Sequence, residues 1–82
     1  MERLRKVILV EGIVQGVGFR PFVYKLAFDL NLKGWVNNSS LGVIVDIEGE
    51  KEKIISFIES IKNNAPPLAK VSNITINYKE LI

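Results

Sequence analysis

Histidine and cysteine are both missing from the 82 residues of this chain, and the two gaps remove much of the usual catalytic repertoire. Histidine is the commonest general base and, with cysteine, the usual ligand of zinc. No Ser-His-Asp triad, thiol nucleophile or His/Cys zinc site can be assembled. With no cysteine there is no disulfide, so apolar packing alone must hold the fold, which suits a reducing compartment.

Charge of one sign is also scarce. The net charge of +2 is too small to imply a nucleic-acid or membrane surface, and the basic residues cluster only at Arg3, Arg5 and Lys6. No apolar run nears the ~20 residues that span a bilayer, and the amino end leads into a strand pattern rather than a cleavable signal. The expected location is therefore the cytoplasm. The sequons Asn37-Asn38-Ser39, Asn38-Ser39-Ser40 and Asn73-Ile74-Thr75 then read as accidents of composition.

With 48% hydrophobic and 24% charged residues, the chain reads as one small globular domain over residues 1–82. Any chemistry must come from amides, hydroxyls, carboxylates, lysine, arginine or backbone dipoles.

The most informative stretch is Glu11-Gly12-Ile13-Val14-Gln15-Gly16-Val17-Gly18-Phe19-Arg20-Pro21, a glycine-rich turn between a β-branched run and a helical pattern. Gly16 and Gly18 allow backbone conformations in which successive N–H groups turn toward one point. Pro21 suits the first helical position, which leaves Phe19 and Arg20 as the capping residues. Neither has the short oxygen acceptor that satisfies first-turn donors. An anion there would meet N–H groups, the positive end of the helix dipole and the Arg20 guanidinium. A turn that merely reverses the chain would look much the same. Against it stands Arg20, since a cation at a helix N-terminus opposes the dipole by up to about 1 kcal/mol and an anion would relieve that cost.

Around this turn the periodicities predict six elements. Arg5 to Gly12 reads as a strand, and Phe22, Leu26 and Leu30 mark an amphipathic helix from Pro21 to about Asn31–Lys33. Gly34 to Gly49 reads as a hairpin, whose second arm places Val43, Val45 and Ile47 on an apolar face and Ile44, Asp46 and Glu48 on an increasingly wet one. Ile54, Phe57, Ile58 and Ile61 mark a second helix between Glu50 and Asn64. Pro66-Pro67 then forces an extended connector, and Val71 to Lys79 alternates as a last strand. This order predicts an α+β fold, a ferredoxin-like βαββαβ sandwich with a four-stranded antiparallel sheet and two helices on one face. In that arrangement the second strand is expected beside the first, which would bring Asn38 near the glycine turn. An amide there could position a water without acting as a base; the other reading is that Asn and Ser simply form the hairpin turn, and spacing alone favours the turn.

Gly12 through Arg20, followed by Gly34-Trp35-Val36-Asn37-Asn38-Ser39-Ser40-Leu41-Gly42-Val43, resembles the paired signature of the acylphosphatase family over nearly the whole chain. Arg20-Pro21-Phe22-Val23-Tyr24, the Asn-Asn-Ser-Ser turn and Pro66-Pro67-Leu68-Ala69 are especially similar to the acylphosphatase-like domain at the amino end of the hydrogenase-maturation carbamoyltransferases. The resemblance implies hydrolysis of a carboxyl-phosphate anhydride to carboxylate and inorganic phosphate. It also implies that phosphate is held by Gln15, Gly16, Val17, Gly18, Phe19 and Arg20, and that Asn38 orients the attacking water. No metal or cofactor is required by that chemistry, and no nucleic-acid or membrane partner is expected.

Membership of the narrower group would make carbamoyl phosphate the substrate or ligand and would imply further domains of a larger carbamoyltransferase. A metabolite-binding domain without turnover is another reading of the same fold. RNA-recognition domains share the element order, but they stack bases on aromatic residues of the central strands, and Val43 to Glu48 has none.

Overall fold

The computed structural model describes residues 2–78. Its elements run β1 (Arg3–Ile13), α1 (Phe19–Asp29), β2 (Lys33–Asn38), β3 (Val43–Glu50), α2 (Lys51–Asn63) and β4 (Lys70–Ile76). The four strands form one antiparallel sheet in the order β2-β3-β1-β4. This is the expected βαββαβ fold, with one correction to its interior. The hairpin strand β2 is an edge strand that pairs with β3, so it is not the neighbour of β1. The local β2–β3 hairpin and the long-range β1–β3 ladder explain the difference: β3 fills the slot beside β1 and carries β2 outside it.

Alternation decides which side of the sheet each strand residue serves. Ile8 and Val10 of β1 and Val43, Val45 and Ile47 of β3 are buried together with Val23 of α1 and Ile54, Phe57 and Ile61 of α2. One core therefore lies between the sheet and both helices, and Phe57 is fully buried within it. Truncating such a residue costs about 3–5 kcal/mol, through lost transfer free energy and the cavity left behind.

The opposite face of β3 is drier than the sequence suggests. Ile44 and Asp46 are buried there, and of the three residues expected to be wet only Glu48 is exposed. Both lie on a central strand flanked by β1 and β2, so neighbouring side chains shield them although no helix lies on that face. The central strands carry no aromatic residue on either face, which leaves no base-stacking platform there.

The helix boundaries shift for local reasons. α1 begins at Phe19, two residues before Pro21. Proline at the third position still falls in the first turn, where no intrahelical acceptor awaits its missing N–H. The helix stops at Asp29 because Asn31 takes a left-handed conformation, φ 58°. Asn31 N–H then donates to Phe28 O at 3.1 Å and Leu32 N–H to Ala27 O at 2.8 Å, the paired bonds that close a Schellman turn. That turn delivers Leu32 into the core and starts β2. At the far end of the chain Tyr78 N–H donates to Val7 O at 2.7 Å. Lys79, the expected last residue of the final strand, lies outside the described residues.

Candidate active site

The glycine turn is pinned at both ends by the core. Val14 and Phe19 are each 1% exposed, while Gln15, Gly16 and Gly18 between them face solvent. Phe19 also packs against Phe22, ring centroids 5.9 Å apart. To connect these anchors the backbone takes left-handed turns at Gly16 (φ 73°) and Gly18 (φ 79°). A Cβ at either position would meet open space, so it is the dihedral angle that calls for glycine.

Gly18, not Phe19 or Arg20, is the N-cap of α1, and it supplies no side-chain acceptor. Phe22 N–H reaches Gly18 O at 3.3 Å. Among the described residues, no acceptor meets the N–H groups of Gln15, Gly16, Val17, Gly18, Phe19 or Arg20. The first turn of α1 carries no acidic residue, and the Arg20 side chain has no hydrogen-bond or ion-pair partner among the described residues. Free N–H groups, the dipole and a guanidinium that no described residue balances add up to an anion-receptive surface.

Across from it stands the β2–β3 turn. Ser39 builds this turn: its N–H donates to Gly42 O at 2.8 Å, and its Oγ accepts from Leu41 N–H and Gly42 N–H, both at 3.2 Å. Asn37 is occupied locally, with its Oδ1 accepting from Asn38 N–H at 3.1 Å. Asn38 is the last residue of β2, and its side-chain amide has no partner among the described residues. By alternation it shares with the buried Val36 the sheet face that carries the helices. Asn38 is opposite Val43, and Val43 is opposite Val10. Asn38 thus reaches the neighbourhood of the turn through β3 rather than by pairing with β1.

Sequence reasoning missed the connection between these two parts. The Gln15 side chain, expected with the phosphate ligands, turns to the hairpin. Its Nε2 donates to Ser39 O and Gly42 O, both at 2.9 Å. No periodicity signals such a bond, because both acceptors are main-chain carbonyls more than twenty residues away.

A surface depression of about 300 Å³ lies where loop and turn meet, lined by Gly12, Ile13, Val14, Gln15, Ser40, Leu41 and Gly42. Arg20 and Asn38 are not among its lining residues. A cradle of main-chain donors on a turn is recognised by where its N–H groups point rather than by enclosed volume. Among the described residues no three His, Cys, Asp or Glu side chains gather as a metal site.

The family model for acylphosphatase matches residues 6–81. The chain belongs to the acylphosphatase family. It is 40% identical to the acylphosphatase of Syntrophotalea carbinolica over 77 residues, which are 93% of this chain and 83% of that one. The crystal structure of acylphosphatase from Bacillus subtilis superposes with a TM-score of 0.86 at 36% identity, covering 99% of this chain and 89% of that one. A second kind of relative is larger. The chain is 50% identical over 74 residues, 90% of its length, to the probable carbamoyltransferase HypF of Methanocaldococcus jannaschii. It spans about a tenth of the length of that relative. No helix among the described residues is long and apolar enough to cross a membrane.

Proposed function

We propose that this acylphosphatase-family chain is an enzyme that hydrolyses acyl phosphates to a carboxylate and inorganic phosphate in the cytoplasm. The observation that carries the reading is the run of partnerless N–H groups from Gln15 to Arg20, beside a guanidinium with no anionic neighbour among the described residues. The phosphoryl oxygens lie against these donors and Arg20, which stabilise charge as it spreads over them in the transition state. Asn38 orients a water on the side away from the leaving group. The water oxygen forms a bond to phosphorus as the bond from phosphorus to the acyl oxygen breaks. The departing carboxylate is a stable anion and needs no acid, and the proton of the attacking water passes to phosphate and solvent. A site with no histidine and no cysteine is adequate for a substrate already so activated, because fixing phosphate and water in line supplies most of what is needed.

Release of inorganic phosphate from benzoyl phosphate tests the reading, and absence of release at any substrate concentration overturns it. A second reading is favoured by the similarity to a protein ten times as long. In it this domain serves a carbamoyltransferase-like chain and takes carbamoyl phosphate. Higher kcat/KM for carbamoyl phosphate than for benzoyl phosphate, measured side by side, selects that reading. Saturable binding of either compound without phosphate release selects a metabolite-binding domain instead.

A further inference from the structure

We infer that Gln15 is a positioning residue, a clamp that sets the distance between the phosphate cradle and the water-orienting amide of Asn38. The inference rests on the acyl-phosphate reading above. Under that reading the reacting phosphorus is held by one chain segment and the attacking water by another. In-line attack then depends on how firmly the two segments are tied, and a misplacement of about 1 Å can cost roughly 10²-fold in rate.

The sheet ties them only indirectly, through Val10, Val43 and Asn38. Among the described residues the direct tie is the Gln15 side chain, whose Nε2 donates at 2.9 Å to both Ser39 O and Gly42 O. Ser39 follows Asn38 in the chain, and Gly42 closes the same turn. Both acceptors are carbonyls, so the NH₂ group and not the amide oxygen must face them. One nitrogen with two N–H bonds meets two acceptors, which suits glutamine in particular. Methionine has the length without the donors, glutamate presents acceptors to acceptors, and asparagine is one methylene short. The bond leaves the Gln15 main-chain N–H with its neighbours in the cradle.

The experiment compares Gln15→Met and Gln15→Glu with the wild-type protein, using benzoyl phosphate for kcat and KM and inorganic phosphate for competitive inhibition. The expected result is a fall in kcat of roughly 10- to 100-fold in Gln15→Met, with phosphate inhibition within about twofold of wild type because the cradle donors and Arg20 remain. Gln15→Glu falls further at neutral pH and recovers part of its kcat toward the usual glutamate pKa of about 4.3, where a protonated carboxyl regains one donor. The decisive comparison is made in an Asn38→Ala background, where Gln15→Met should cost little more, since a clamp has nothing left to position. Thermal melts keep every assay below unfolding. Unchanged kcat in Gln15→Met, or a fall that simply multiplies with that of Asn38→Ala, overturns the inference while the reading stands. Absence of turnover by the wild-type protein overturns both.

Discussion

Arg5 and Asp46 meet on the sheet face that no helix covers. Arg5 Nε donates to Asp46 Oδ1 at 3.0 Å and its terminal nitrogen to Oδ2 at 2.5 Å, while the Asp46 side chain is only 5% exposed. The two strands place them diagonally, since Arg5 is opposite Glu48 and Asp46 is opposite Val7. The hydrogen bonds and charge of Asp46 raise the Arg5 pKa above its ordinary value. A cation with a raised pKa contributes stability that is fully present below its unfolded value and is lost only above the folded one. Arginine already titrates at strongly alkaline pH, so loss of the pair from the arginine side requires higher pH still.

The asymmetry of the pair gives the first prediction. Arg5→Met leaves a buried carboxylate without its partner, and breaking a buried pair from one side is the costly way to break it. Thermal melts should show Tm lowered by several degrees. Arg5→Met combined with Asp46→Val removes both charges and should recover most of that loss. Equal Tm values for Arg5→Met and wild type would mean that solvent already screens Asp46.

Inorganic phosphate, as the product, needs the same donors as the substrate's phosphoryl group, and sulfate matches its shape. Both should inhibit competitively against benzoyl phosphate, and EDTA should leave the rate unchanged. Noncompetitive inhibition by both anions, or loss of activity to EDTA that a divalent metal restores, would overturn the metal-free cradle.

Gly18 provides a test of the loop's shape. At φ 79° an L-residue is strained by about 1–2 kcal/mol, although a Cβ there meets nothing. Gly18→Ala should therefore lower Tm by roughly 4–8 °C per kcal/mol in a domain of this size. Gly18→Asn should lose less, because asparagine visits this region more readily. A melt of Gly18→Ala that matches wild type would show that the loop relaxes to another conformation.

Arg20 separates charge from geometry. Arg20→Gln keeps the main-chain donors and removes the cation, so phosphate affinity and kcat should both fall, kcat by roughly 10²–10³ as for loss of one preorganised donor. Arg20→Lys should recover little, since a point charge cannot reproduce the planar fork. Full recovery in Arg20→Lys, in both phosphate inhibition and kcat, would reduce the role of Arg20 to charge alone.

What could be read from the chain before folding follows the range of the forces involved. Alternation in Val43, Val45 and Ile47 and the helical stripe of Ile54, Phe57 and Ile61 are local patterns tied directly to burial, and all six residues lie in the core. Gly16 and Gly18 flagged the turn because few other residues tolerate its dihedral angles. Asp46 was misjudged because a charged residue at an outward position signals solvent, and its burial depends on a partner 41 positions away. The place of β2 was misjudged for the same reason: element order fixes the fold, while strand order depends on which hairpin partner takes the slot beside β1. Gln15 was assigned to phosphate with its neighbours. That assignment concerns its main-chain N–H; its side chain answers two carbonyls of a distant turn, and such a bond is visible only once the chain is folded.

Asn38 is where a turn-forming and a catalytic role diverge most sharply. The turn is made by Ser39 and Gly42, and Asn37 is held by its bond to the Asn38 N–H, so the Asn38 amide contributes to none of the hydrogen bonds that shape the hairpin. Asn38→Ala should therefore leave Tm nearly unchanged. If the amide orients the attacking water, kcat should fall by roughly 10²–10³ while inhibition by inorganic phosphate stays close to wild type. Asn37→Ala is the internal control. Strand alternation points Asn37 to the face without helices, and removing its carbonyl costs one exposed local hydrogen bond, about 0.5–1.5 kcal/mol at most. It should lower Tm slightly and leave kcat of the folded protein intact. Melts, phosphate inhibition and benzoyl phosphate kinetics on the two variants decide the matter: a folded Asn38→Ala protein with wild-type kcat removes Asn38 from the mechanism, and equal losses of kcat in both variants assign the effect to the hairpin instead of the amide.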